Sequence, residues 1–131
     1  MAADFHSKHA IVRHPREELF MSFVDMRNFL IAVPEDKKDS IKADYDHISA
    51  TVQGFSIGVK VASREPYSRI MLQDDGAPFK FTLTLNFDEC DEPQCCEFHI
   101  DVEAELNLLM RKMVGGKIQE ALDSIVDKMA Q

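Results

Sequence analysis

Apolar residues recur at every second position through two stretches late in this chain, and then at helical spacing toward its end. In the first stretch Phe79, Phe81, Leu83, Leu85 and Phe87 alternate with Lys80, Thr82, Thr84 and Asn86. In the second, Cys96, Phe98, Ile100, Val102, Ala104 and Leu106 alternate with Glu97, His99, Asp101, Glu103 and Glu105. Successive side chains of a strand point to opposite faces, so the pattern predicts two strands, each with one oily and one wet face. The oily faces need a cover. The long amphipathic helix that follows at once supplies it, and the simplest arrangement is an α+β fold in which a curved antiparallel sheet wraps around that helix.

Asn107 is placed to cap the start of the helix, and Leu106, Leu109, Met110 and Met113 share one face. From Val114 onward, across Gly115-Gly116, the apolar positions are Val114, Ile118, Ala121, Leu122, Ile125 and Met129. At ~100° per residue the two stripes are rotated from each other by about one residue. The glycines lie at the junction, which predicts a kink, a bulge or a short break there.

Upstream, residues from Asp4 to Arg13 read as one strand, with Phe5, Ser7, His9 and Ile11 on one side. Pro15 suits the first position of a helix, Glu17 and Glu18 favour the positive end of its dipole, and Leu19, Phe20 and Phe23 form its buried stripe. A second short helix follows Asp25 as N-cap, turning Met26, Phe29 and Leu30 inward until Pro34 stops it. From Ile41 to Leu106 the pattern is of six short strands separated by turn signals. Asp46-His47 is the first reversal, Gly54 opens the third of these strands, Glu65-Pro66 ends it, and Asp74-Asp75-Gly76 is a later turn. The acidic row on the second strand lies on its outer face, opposite the core. The mixed segment around Lys37, Lys38 and Lys42 reads as a solvated loop, because Glu35, Asp36, Asp39 and Asp44 are interspersed.

This order of strand, two short helices, six strands and a long final helix (β-α-α-β6-α) resembles the START-like or SRPBCC superfamily, also called the helix-grip or Bet v 1-like fold. The most specific local element is Pro15-x-Glu17-x-Leu19-Phe20-x-x-Phe23-x-Asp25-x-x-x-Phe29, similar to the first helix pair of that family, and Glu65-Pro66-Tyr67-Ser68-Arg69-Ile70 is similar to its mid-sheet corner. The glycine-rich loop of the plant allergen branch is absent from Val52 to Gly58, and the chain has no Trp. The family includes carriers of lipids and other hydrophobic molecules, polyketide aromatases and cyclases, and domains that act on protein partners. The resemblance therefore implies a cavity between sheet and final helix. Its candidate lining is Phe29, Phe55, Ile57, Phe79, Phe81, Leu83, Phe98, Ile100, Met110, Met113 and Ile118, with His9 as the polar group that orients a ligand.

At 131 residues the chain suits one domain spanning 1–131. Its formal net charge of −8 opposes nucleic acid as a partner, since that contact relies on basic groups neutralising phosphates. No apolar run approaches the ~20 residues of a membrane span. The first residues carry no secretory pattern, so the expected compartment is the cytoplasm and the three cysteines are expected as free thiols. Cys90, Cys95 and Cys96 cluster at one predicted hairpin tip, where a metal site and a redox-active Cys90–Cys95 pair are the rivals to free thiols. The cysteine spacing matches no zinc finger, and Cys96 should turn inward while Cys95 turns out. His6-x-x-His9 is a poor metal pair on a strand, and Gly115-Gly116-Lys117 lacks the upstream glycine of a phosphate loop. No motif calls for a cofactor, a metal or a nucleophile. The reading is a module that binds a small hydrophobic or amphipathic molecule. A cyclase-like enzyme, which needs ionisable groups converging in the cavity, and a protein-interaction domain with a filled core are the alternatives.

Overall fold

A computed structural model describes residues 2–32, 35–52, 55–76, 79–92 and 94–129 of the chain. Pro34 and Gly54, to which the sequence assigned a helix stop and a strand start, lie outside these residues. Six strands form an antiparallel meander: β3 (Ile41–Ala43), β4 (His47–Val52), β5 (Phe55–Glu65), β6 (Arg69–Asp74), β7 (Phe81–Glu89) and β8 (Cys96–Glu105). The first two strands, β1 (Ala2–His6) and β2 (Ala10–Val12), both pair with the free side of β8. The result is one curved eight-stranded sheet. The alternation read from the sequence is obeyed in β7 and β8. Leu85, Phe87, Cys96, Phe98 and Ile100 are at most 2% exposed on the concave face, and the charged row of β8 lies on the convex one.

The expected single first strand is broken. His6 pairs with Asp101 and Ala10 with Phe98, so three residues of this strand face two of β8. This is a β-bulge. Ser7, 5% exposed, repairs the ladder: its N–H donates to Ile100 O, and the Ile100 N–H donates to Ser7 Oγ, both at 2.8 Å. One extra residue exchanges the faces downstream. Val12 is therefore buried and Ile11 exposed, and His9, expected on the concave side with Phe5, stands on the convex side.

Helix α1 (Arg16–Phe23) follows Pro15, which sits at the cap position and not inside the helix. Leu19, Phe20 and Phe23 are buried as their spacing requires, with the Phe20 ring edge-on to Phe87 at 5.8 Å. The second short helix is a 3₁₀ helix, Met26–Ala32, whose start is held by Asp25 Oδ1 accepting the Arg27 N–H at 3.0 Å. A further 3₁₀ helix, Glu35–Ser40, occupies the segment read as a loop.

The final helix α2 (Leu108–Met129) is unbroken through Gly115-Gly116, so the short break, one of the forms predicted for this junction, is not there. Asn107 does cap it: the Met110 N–H donates to Asn107 Oδ1 at 2.8 Å. An unbroken helix cannot present both apolar stripes, and the second one wins. Leu122 and Val126 are buried, flanked by the half-buried Ile118, Ile125 and Met129. Met113 lies nine residues before Leu122, and nine steps of ~100° put it on the opposite side of the cylinder. It is 55% exposed, and Leu109 is exposed too. Gly115 lies against β1, and a Cβ there would meet the Phe5 ring at 3.7 Å, an ordinary van der Waals distance.

Candidate functional site

Among the described residues, one space left by this packing lies where the 3₁₀ helix Met26–Ala32 meets the β3–β4 hairpin and α2. An apolar recess of about 160 Å³ opens there. Met26, Phe29 and Leu30 come from the 3₁₀ helix, Ile41, Ala43 and Ile48 from the hairpin, and Ile125 from α2. The hairpin register sets the middle group, because Ile48 pairs with Ala43 and Ile41 with Ala50. No ionisable side chain is among these seven.

Polar contacts hold the walls from behind. The Met26 N–H donates to Tyr45 O at 3.1 Å, joining the 3₁₀ helix to the turn after β3. Arg64 of β5 reinforces the joint: its guanidinium donates to Val24 O at 2.8 Å and to Asp46 Oδ1 at 2.9 Å, and lies 4.6 Å from the Tyr45 ring centre. The turn itself is built on Asp44, whose Oδ1 accepts the N–H groups of Asp46 and His47 at 2.9 and 2.8 Å. The His47 side chain first, and these N–H groups with it, hold the Asp44 carboxyl below the usual carboxylate range. The Arg27 guanidinium does the same for Asp25 at the start of the 3₁₀ helix.

Of the candidate lining residues whose side chains are described, Phe29 alone is in the recess. Phe81, Phe98 and Ile100 are closed into the core beside α1 and α2, because aromatic side chains of the chain itself fill the centre of the concave face. Ile57, Phe79, Leu83, Met110 and Ile118 are half-buried against that core, and Met113 faces outward. Phe55 lies in β5, but its side chain is outside the described part. The other recess residues are not in that lining: the sequence reads Met26 and Leu30 only as turned inward, Ile125 only as part of the helix stripe, and Ile48 only as a strand residue. Ile41 and Ala43 lie in a three-residue strand, which carries almost no period.

His9 belongs to a different group. Its ring stacks on His99 with centroids 4.1 Å apart and 7° between planes, and its Nδ1 lies 2.9 Å from Glu97 Oε1. His6 Nδ1 is 2.8 Å from Asp101 Oδ1. This polar cluster covers the outer face of β8. Tyr45 and Tyr67 are exposed, so neither converges with His9 on an internal site.

The cysteines also differ from expectation. Cys90 and Cys95 are joined at the tip of the β7–β8 hairpin with Cα atoms 5.9 Å apart, and only Cys96 is a free thiol. The cause is register: the last ladder pair is Glu89 with Cys96, so the next residues outward are Cys90 and Cys95. As predicted, Cys96 turns inward. Burial, assisted by the Asp88 charge, pushes its thiol up to about 11.

No family model matches the chain, and no curated protein does. Solved structures do match. Norcoclaurine synthase from Thalictrum flavum superposes with a TM-score of 0.75 at 13% identity, covering 99% of this chain and 85% of the enzyme. The same enzyme in complex with dopamine and hydroxybenzaldehyde gives 0.71 at 13% identity, with the same coverage. A protein from Bacillus thuringiensis gives 0.67 at 11% identity, covering 98% of this chain and all of that one. At such identities the likeness speaks for the backbone alone, and what it says is that this chain has the helix-grip, Bet v 1-like fold.

Proposed function

We propose that the protein binds one small apolar molecule, of the size of a single aromatic ring or a short acyl chain, in the recess beneath the 3₁₀ helix. The observation that carries this reading is the recess itself, about 160 Å³ with apolar walls on three elements. A dry apolar cavity of about 150 Å³ accommodates benzene. A two-tailed lipid needs several times that volume, so the recess favours a compact ligand over a membrane lipid. Affinity would come from apolar area removed from water, at about 25 cal/mol per Å². The absence of an ionisable group among the seven lining residues, and the outward His9, favour holding a molecule over acid–base chemistry on it. The neighbouring Thalictrum enzyme was captured with dopamine and hydroxybenzaldehyde, both single-ring compounds, which is consistent in size.

The test is a titration of the protein with toluene, indole and hexanoate, followed by methyl chemical shifts of Met26, Ile48 and Ile125. Saturable shifts at these methyls are expected, and Ala43→Leu, which grows into the recess, should weaken binding at least tenfold while leaving the fold intact. Absence of saturable shifts with all three compounds, or an undiminished affinity in Ala43→Leu, would overturn the reading.

A further inference from the structure

The hairpin tip carries a second kind of chemistry, unrelated to the recess. Cys90 and Cys95 are the cross-strand pair immediately beyond Glu89 and Cys96, so the ladder of β7 and β8 presents them to each other whether or not their sulfurs are bonded. Their Cα separation of 5.9 Å is inside the range of about 4.4–6.8 Å that a disulfide needs. The pair can therefore open and close on one backbone.

Access is available from two sides. One depression, about 500 Å³, is lined by Cys90, Cys95, Ile11 and Arg13; another, about 310 Å³, is lined by Cys90, Cys95, Arg16 and Glu17. A tripeptide-sized thiol fits either. Its carboxylates would meet Arg13 in the first depression or Arg16 in the second, and Arg16 also holds Glu89 at 3.0 Å. Glu89, Asp91 and Glu92 line the same depressions, and their charge repels an incoming anionic thiol. That balance suits a switch set by the surrounding thiol pool and not a fast oxidoreductase. Cys96 is next in sequence but 0% exposed on the concave face, out of reach of either depression.

We propose that Cys90 and Cys95 form a reversible dithiol–disulfide clasp on the β7–β8 tip, closed by low-molecular-weight disulfides of the glutathione class and opened by the corresponding thiols, with Cys96 excluded. In closure, one cysteine thiolate attacks a sulfur of oxidised glutathione, forming a mixed disulfide and releasing one glutathione thiolate. The second cysteine thiolate then attacks the protein sulfur of that mixed bond and releases the second glutathione. The two protons lost by the cysteines go to the two released thiolates. Two electrons pass from the cysteine pair to the glutathione disulfide, and opening is the reverse sequence.

The experiment equilibrates the full chain in buffers from pure reduced to mostly oxidised glutathione, quenches with acid, unfolds, alkylates and weighs the protein, with peptide mapping. The chain has three cysteines. A single transition from three labels to one, with the remaining label on Cys96, is expected. Cys96→Ala should show the same midpoint, and Cys90→Ser should stop at a stable glutathione adduct on Cys95. Wild-type protein that keeps three labels throughout, that accumulates glutathione adducts without closing, or that pairs Cys96 would overturn the proposal.

Discussion

Gly58 shows how much a single hydrogen atom can decide. A Cβ at this position would lie 2.1 Å from the carbonyl oxygen of Asp75, whose own N–H donates to Gly58 O at 2.8 Å. Neither backbone can yield without breaking that bond. Gly58→Ala should therefore cost about 1–3 kcal/mol, the usual penalty of overpacking, seen as a lower urea midpoint with an unchanged slope. A midpoint within error of wild type would mean that the turn after β6 moves freely. In the sequence Gly58 is only one more outer position of a strand. Arg64 was equally illegible: it looks like a solvated strand end, yet it grips Val24 O, 40 residues away. Tyr67 is a third such case: its backbone is left-handed at φ 63, and its ring lies 5.7 Å from that of Phe20 in a T-shaped pair. Local pattern reports which face a residue occupies, and contacts across the chain leave no trace in it.

Elements were legible in proportion to the length of their repeat. Strands β7 and β8, with nine and ten residues of alternation, were placed within two residues of their observed ends. Strand β3 and the second 3₁₀ helix are too short to show a period. Counting failed where a register changed, as at His9, and where a geometric constraint chose between two stripes, as at Met113. The bulge that displaced His9 also has partners on α2. Gln119 Nε2 donates to His6 O at 2.8 Å, and the Lys8 N–H donates to Asp123 Oδ1 at 2.8 Å, so two backbone groups that the bulge frees are taken up by one face of the helix. The Lys8 N–H first, and Gln119 second, hold the Asp123 carboxyl below its usual range. A depressed value in the folded state means that this contribution is present above the unfolded carboxylate range and is lost as pH falls through the folded value. Asp123→Asn should lower the urea midpoint at neutral pH and flatten its decline between about pH 5 and 2. A variant with the wild-type acid slope would show that the latch carries no such linkage. The disulfide, by contrast, closes so short a loop that chain entropy limits it to about 2 kcal/mol. Opening the proposed clasp should therefore leave the rest of the sheet in place.

At the scale of the whole molecule, α2 and the concave face depend on each other. Leu122 and Val126 are fully buried, and Ile118, Ile125 and Met129 partly so. At ~1.5–3 kcal/mol for each complete burial and less for the others, the stripe contributes roughly 6–10 kcal/mol. That equals much of the net stability of a typical domain, about 5–15 kcal/mol. The resemblance seen in the order of elements was a statement at this scale, and the superposition agrees with it. The interior proved fuller than the resemblance implied, because the space between β7, β8 and the helices is taken by Phe20, Phe87 and Phe98. Attachment of α2 also depends on chain length near the N-terminus. Phe5, before the bulge, and Val12, after it, are seven residues apart yet share the concave face, a parity that a regular strand permits only for an even spacing. A chain shortened by Lys8 would have that even spacing. It should keep β1 and β2 on β8 as one regular strand, while Gln119 and Asp123 lose both of their backbone partners. Nuclear Overhauser contacts from His9 to His99 should survive the deletion, and amide exchange along α2 should quicken. Loss of β1 from the sheet would refute this. The extra residue is then dispensable to the sheet that contains it, and is kept for the helix on the other side.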